Sequence, residues 1–495
     1  MTATAPLQPV AGPGEVRRAD GPPEAAPRSE TPPRHPRALR LALLLGAVVA
    51  LADATIVAVA LAPLSRHFDQ PLAAVEPVLT VYLVTVTATL PLLGRVGDRF
   101  GRREVYIAGF GVFAAGSVGA ALAPTFGALL AARAVQAVGG GMLTSGSLAL
   151  MAQWSPRRSA GRAIALLVIA QAVAGLLAPP LGGALVAAWD WQAVFWASVP
   201  LALAGAALTV WAVPSTPAGA PGGRLDGLGA VGVGMLLLGL GSGLAGLAGD
   251  PIAGLPAWAW LTVAAAGAGL LLAVEPRVVH PIVDRRLLGG PFGRAAAATF
   301  LSTGSLTTCF ALLPFWLETA HGASAALAGM AFVPIGVGIA ATSRRAGQLG
   351  DQGRTREVTV AGMLVAATGL GLAALAGLAG AWWLLGAGLF VLGLGNGLFS
   401  SPNTAAAMHV APRSGLGGAA GLLSTARNAG VICGLGLAGA AYTAATRGGS
   451  TARADAVAAA IFTVAAAVCL LVALIAAGTY RALPAPARSA PAQAG

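Results

Sequence analysis

The chain has 495 residues, 56% hydrophobic and only 10% charged, with a mean hydropathy of +0.78 and a formal net charge of +12. A soluble globular domain carries roughly 25% charged residues, which excludes water as the main solvent of this chain. All 30 basic residues are arginine and gather in short segments between apolar runs, a pattern that excludes a nucleic-acid surface and reads as a membrane-topology signal.

Residues 1–38, rich in Pro and Arg, lack an apolar core and a small-residue cleavage site, so they are expected to form a disordered cytoplasmic tail and not a cleaved signal peptide. Apolar runs of about 20 residues then recur, each long enough to cross a hydrocarbon layer as a helix. The first six are predicted near 40–62, 75–94, 104–123, 126–152, 163–188 and 193–213. Two more fall near 226–248 and 256–274, after the Pro/Gly-rich break from Pro214 to Gly223. A polar segment follows, and six further spans are predicted near 295–317, 324–342, 358–379, 382–408, 416–443 and 455–478. The expected fold class is thus an all-α integral membrane protein of 14 transmembrane helices. Its expected parts are the tail, a six-helix half over 39–213, a linker with two extra helices over 214–294, a second half over 295–480 and a cytoplasmic tail over 481–495. Cys309, Cys433 and Cys469 all lie inside apolar runs and read as small apolar fillers.

Arginine placement orients the chain. With an even number of spans both ends share one side, and 25 of the arginines fall on that side against three, Arg66, Arg447 and Arg453, on the other. Basic loops are retained inside, so both termini are expected to be cytoplasmic.

An internal repeat supports the two halves. Gly94 to Gly109 aligns without gaps to Gly347 to Gly362 at an offset of 253, with eight of sixteen positions identical, including Asp98 with Asp351. The same offset superposes the first span on the ninth and the fourth on the twelfth. Parallel halves with a site between them are an architecture of alternating-access carriers.

Five segments carry a family resemblance. Between the second and third spans, Gly94-Arg-Val-Gly-Asp-Arg-Phe-Gly-Arg-Arg103 resembles the cytoplasmic loop motif of the major facilitator superfamily. Leu51-Ala-Asp-Ala-Thr-Ile-Val-Ala-Val-Ala-Leu61 resembles the first-helix signature of its fourteen-helix drug:proton antiporters, with Ala58 where Asn is usual. Arg133-Ala-Val-Gln136 in the fourth span is similar to that family's proton-coupling motif, and Ala137 replaces a usual Gly. In the fifth span Gly175, Pro179, Gly182 and Gly183 fit the antiporter motif, whereas Ala174 and Ala178 stand where glycines are usual. The Asp190-Trp-Gln-Ala-Val-Phe195 opening of the sixth span also follows the family, with Gln192 in place of Arg.

The resemblance implies roles for these residues. Asp53, Arg133 and Gln136 would couple transport to protons. Gly94, Gly97, Asp98, Arg99, Gly101, Arg102 and Arg103, with Asp351 in the second copy, would form a cytoplasmic gate, its glycines permitting a tight turn and Asp98 meeting arginines or a helix N-terminus. A charged group near the bilayer centre costs roughly 2.5–3.5 kcal/mol on insertion scales, so Asp53 and Arg133 stand out on physical grounds as well. Glu318, Asn396, Asn403, Arg427 and Asn428 are candidates for a substrate cavity, Asn396 and Asn403 because they share one face of a helix.

The function expected is proton-coupled export of small lipophilic or cationic compounds such as drugs, antibiotics or secondary metabolites, in a bacterial inner membrane, by a monomer. The competing transport reading is a facilitator or importer of another small metabolite, which would need more buried polar contacts than these spans offer. An enzyme or receptor is disfavoured, since the sequence has no metal-ligand set, nucleophile with a base, phosphate-binding loop or long globular insert, and no cofactor is expected.

Overall fold

The computed structural model describes residues 35–70, 75, 77–155, 159–215, 226–248, 255–274, 277–278, 288–322, 330–412, 415–446 and 451–480. Among them the elements are all helical. In chain order they are α1 (Pro36–Ile56), α2 (Leu61–His67), α3 (Pro77–Phe100), α4 (Arg102–Ala121), α5 (Phe126–Trp154), α6 (Ala160–Trp189) and α7 (Gln192–Ala212). Next come α8 (Gly227–Ala245), α9 (Ala257–Val274), α10 (Pro291–His321), α11 (Val333–Leu349), α12 (Thr355–Ala379), α13 (Trp382–Val410), α14 (Leu416–Thr446) and α15 (Thr451–Thr479).

Local chemistry sets several of the boundaries. The Thr125 hydroxyl accepts from the Ala128 N–H at 3.2 Å, and the Asp226 carboxylate accepts from the Gly229 N–H at 2.7 Å, so α5 and α8 each start on a side-chain cap. Gly101, with φ of 100°, makes the break between α3 and α4, a conformation that a side chain would strain. A 3₁₀ stretch, Val57–Ala60, separates α1 from α2. In α6 the arms Ala160–Gly175 and Pro180–Trp189 are bent by 44°, as expected where a proline removes a backbone donor.

Helices α1 to α7 pack mainly on one another, with α4 on α5 and α7, α3 on α5, and α1 on α5, α6 and α7. A second set repeats the pattern, with α12 on α13 and α15, α11 on α13, and α10 on α14 and α15. The 253-residue offset carries α1 with α2 onto α10, and then α3 to α7 onto α11 to α15, each start falling within about six residues of its counterpart. The two sets meet along two seams, α3 against α14 and α6 against α11, which the same offset interchanges. Helices α8 and α9 pair with each other, and α8 covers the first seam by packing on α3 and α14.

Large apolar side chains face outward. Trp189, Trp211, Trp258 and Trp383 sit exposed near helix ends, and Leu474 is 72% exposed within α15, a distribution suited to lipid and its interfaces. Ten helical stretches among the described residues are long and apolar enough to cross a membrane, or eleven when the arms of α6 count as one span. The chain is a multi-pass membrane protein, and the expected fourteen crossings are not all reached by that measure. One stretch, Val333–Ala379, merges α11 and α12 across Gly353, whose φ of 85° breaks the helix.

One expected boundary differs. The segment from Gly94, read as a loop, is the last part of α3, and the turn proper is Gly101. The expected span near 324–342 is described as α11 from Val333, and residues 323–329 lie outside the described ones.

Candidate functional site

Within the first set, α1, α4 and α5 enclose a polar cluster. Arg133 donates through Nη1 to Asp53 Oδ2 at 2.5 Å and to Gln136 Oε1 at 2.6 Å, and its Nε donates to the Val78 carbonyl at 3.2 Å. Gln136 Nε2 donates to Asp53 Oδ1 and to Ser117 Oγ, both at 2.8 Å. Arg133 and Gln136 share a face of α5 because they are three residues apart, and both are sealed from solvent, as is Asp53. The guanidinium also lies over the Tyr82 ring, 4.4 Å from its centroid, and Tyr82 in turn donates to the Ala50 carbonyl of α1 at 3.0 Å. Glycines make the room. A Cβ on Gly116 would lie 2.5 Å from the Gln136 backbone, and one on Gly140 would lie 2.5 Å from the Tyr82 hydroxyl.

The structure thus brings Asp53, Arg133 and Gln136 together and adds Ser117 and Tyr82, which carry no charge to mark them in the sequence. Arg133 Nη2 is buried without an acceptor among the described residues, so the cluster holds one unspent donor.

The two repeated aspartates occupy the seams at the arginine-rich end. Asp98, on α3, accepts from the N–H groups of Gly417 and Gly418 at the start of α14, at 2.9 and 2.8 Å, and pairs with Arg102 at 2.9 Å. Asp351, in the turn before α12, accepts from the N–H groups of Gly161 and Arg162 at the start of α6, at 2.7 and 3.1 Å, with the Arg162 guanidinium 3.6 Å away. Each carboxylate caps the unsatisfied donors of a helix in the opposite set. Burial raises the Asp351 carboxyl above its ordinary value, and the donors of Gly161 and Arg162 counter that shift. Of the arginines in this segment, Arg102 also reaches Gln153 at 2.7 Å, Arg103 donates to the Val210 carbonyl at 2.9 Å, and Arg99 lies over the Phe100 ring.

Gly94 serves a purpose other than the tight turn expected of it. A Cβ there would fall 2.0 Å from the Gly417 carbonyl oxygen, so its role is to let α3 and α14 cross. At the other seam Gly347 and Gly161 stand in the same relation, with a Cβ on Gly161 landing 2.5 Å from the Gly347 oxygen. Gly97 has only ordinary contacts with Arg102. The crevice left at this end, lined by Arg102, Gln153 and His409 among others, encloses about 90 Å³, far below the roughly 300 Å³ of the smallest ligand pockets. Among the described residues the two sets touch along both seams at this end.

In α6, Gly182 meets Ile56 of α1, whose Cγ1 would be 2.5 Å from an added Cβ, and Gly183 faces Val59 at ordinary distance. Gly175 has open space beside it. The side chains of Pro179 and Glu318 lie outside the described residues. Asn396 donates to the Leu392 carbonyl of its own helix at 3.1 Å. Asn403 donates to Thr299 Oγ1 at 2.9 Å and accepts from the Tyr480 hydroxyl at 2.6 Å, tying α13 to α10 and α15 inside the second set. Arg427 reaches across the sets to Gln171 of α6 at 3.4 Å, and Asn428 beside it is partly buried.

Known proteins place this geometry. The sequence profile of the Major Facilitator Superfamily matches residues 43–228 and 295–495, leaving out most of the segment that holds α8 and α9. The chain is 30% identical to a multidrug resistance protein B homolog of Mycobacterium tuberculosis, over 74% of this chain and 68% of that protein. It is 28% identical to the methylenomycin A resistance protein of Streptomyces coelicolor, over 80% of this chain and 83% of the relative. A triacylglyceride transporter of Mycolicibacterium smegmatis is 30% identical over 81% of this chain and 74% of its own length. Among solved structures, the human organic anion transporter MFSD10 superposes with a TM-score of 0.63 at 17% identity, covering 89% of this chain and 99% of that one. The proton:xylose symporter XylE superposes with a TM-score of 0.60 at 15% identity, covering 87% and 94%, and both show the fold alone. With two repeated helix sets, their interface closed by reciprocal aspartate caps, and a profile match over most of its length, the chain belongs to the Major Facilitator Superfamily.

Proposed function

We propose that this transporter is a proton-coupled exporter of small lipophilic compounds, working by alternating access in a bacterial inner membrane. The observation that carries the reading is the sealed Asp53–Arg133–Gln136 cluster, a titratable ion pair kept inside the membrane where an apolar replacement would insert more readily. The names of the relatives, a multidrug resistance protein B homolog and a methylenomycin A resistance protein, support export of drug-like molecules.

The chain crosses the membrane fourteen times, by α1 with α2, by α3 to α7, by the pair α8 and α9, and by α10 to α15 one by one. Residues 39–213 and 295–480 form the moving halves, 214–294 links them, and both termini are cytoplasmic, in keeping with 25 arginines on that side. The aspartate-capped end is then the cytoplasmic end, and the described state is closed toward the cytoplasm. Proton binding at Asp53 weakens its hold on Arg133, frees α1 relative to α5, and is coupled to release of the caps on α14 and α6. The 3₁₀ stretch Val57–Ala60, one turn beyond Asp53, is where α1 yields. A monomer suffices, because both halves and both seams belong to one chain.

Purified protein in proteoliposomes, given a pH gradient and a fluorescent lipophilic dye, tests the reading. An exporter extrudes dye against its concentration when protons flow the opposite way. Dye movement that only equilibrates, or that follows protons in the same direction, contradicts it.

A further inference from the structure

Arg427 is a charge on α14 that the coupling cluster and the gate leave unused. Its contact with Gln171 Oε1 on α6, at 3.4 Å, is long for a guanidinium donor and uses one of five N–H groups. Two residues earlier on the same helix, the Thr425 hydroxyl reaches the Thr87 carbonyl of α3. This part of α14 therefore stands between α3 and α6, at the meeting of the two sets. One turn beyond Gln171, Gly175 borders open space, and next to Arg427 the Asn428 amide is only partly buried.

The charge balance there is one-sided. Asp53 is sealed and engaged by Arg133 and Gln136, and Asp455 is engaged by Trp316 and His321 at 2.9 and 2.8 Å. Asp98 and Asp351 cap helices at the arginine-rich end. Among the described residues no carboxylate forms an ion pair with Arg427. Arg427 is only partly buried, and a carboxylate accepts from a guanidinium in a two-pronged geometry.

We infer that Arg427, with Gln171 and Asn428 beside it, is a binding site for the acidic group of an amphipathic organic anion, so that the compounds carried include lipophilic carboxylates and not only cations. This deepens the export reading and rests on it for the route by which ligand reaches the site. The direction of the charge preference follows from Arg427 alone.

Equilibrium binding to the purified full chain in neutral detergent tests it with three matched probes, 2-naphthylacetate, its primary amide and 2-naphthylethylammonium. The parent is expected to bind the carboxylate about tenfold more tightly than the amide or the ammonium, the size of one charge-assisted contact. Arg427→Gln should bring the three affinities together, and Arg427→Lys should retain part of the preference. Gln171→Glu, which sets a carboxylate against the guanidinium, should remove the preference with both halves otherwise untouched. No preference in the parent, no binding of the carboxylate, or a preference that survives Arg427→Gln overturns the inference. Nanodiscs of phosphatidylcholine and of phosphatidylglycerol separate the two sources of an acidic group. Carboxylate binding that persists in both supports a transported ligand, and binding abolished by phosphatidylglycerol makes the occupant a lipid headgroup and overturns the proposal. Dye efflux is scored separately, so a charge preference without efflux sinks the export reading alone, and efflux without a charge preference sinks this inference alone.

Discussion

Asp53 and Arg133 are each costly to bury singly. Removing one partner of a buried pair strands the other, at about 3–5 kcal/mol, whereas replacing both by apolar residues is often neutral. Arg133→Ala is therefore expected to destabilise the protein by about that amount, seen as a large drop in thermal melting temperature in detergent. The pair Asp53→Leu with Arg133→Met should recover most of the lost stability while uphill transport stays absent. Recovery of both would mean that the ion pair is a packing device. These two charges were legible in the sequence because ionised groups are rare in apolar runs, and Gln136 through the resemblance of Arg133-Ala-Val-Gln136 to the family's motif. Ser117 and Tyr82 were not legible, since a hydroxyl in a span is ordinary and its partners become visible only when α1, α3, α4 and α5 are packed together.

The seams operate at the level of whole helices. A carboxylate at a helix N-terminus contributes roughly 0.3–1 kcal/mol, so Asp98→Asn should shift the population toward the state open at the arginine-rich end by about two- to fivefold. Spin labels on α3 and α14, with distances read by pulsed resonance, measure that shift. The repeat alone suggests a smaller effect for Asp351→Asn, because the second copy lacks a residue matching Arg99. The structure supplies Asp351 with Arg162 from the opposite set, so the two substitutions should act comparably and additively, at separate seams. Gly94→Ala should exceed both, since its methyl would meet the Gly417 carbonyl and the helices must part. Unchanged label distances in Gly94→Ala would show that α14 crosses α3 elsewhere. The aspartates themselves were legible through the repeat, but their partners lie 319 and 190 residues away and belong to tertiary structure. The reading of Gly94 as a turn residue failed for a related reason, because a glycine required for a close crossing and one required for a turn leave the same mark in a sequence.

The whole molecule is asymmetric in chemistry although its helices repeat. The 253-residue offset carries Asp53 to Leu306 and Arg133 to Gly386, so the second half keeps an aspartate at its seam and has no counterpart of the Asp53–Arg133 pair. The recurring apolar runs made the helix order legible from the sequence, since each span must satisfy its own backbone polar groups, and the 253-residue repeat made the two sets legible. What it left open was which seam α8 and α9 cover, a matter of the small faces at Gly241 and Gly436 where α8 meets α14. The fourteen-crossing topology predicts that a tag at Gly249 is reached from outside the cell and a reporter after Gly495 works only in the cytoplasm. Labelling of both from one side would remove that topology.

On the proposed function the proton acts through Asp53. Uphill dye efflux from proteoliposomes under an imposed pH gradient measures it directly, with Asp53→Asn compared to the parent at equal reconstitution. Asp53→Asn is expected to insert and bind dye yet concentrate none against the gradient. If Asp53→Asn concentrates dye as well as the parent does, coupling lies at another carboxylate, and the sealed cluster with Arg133 and Gln136 is structural.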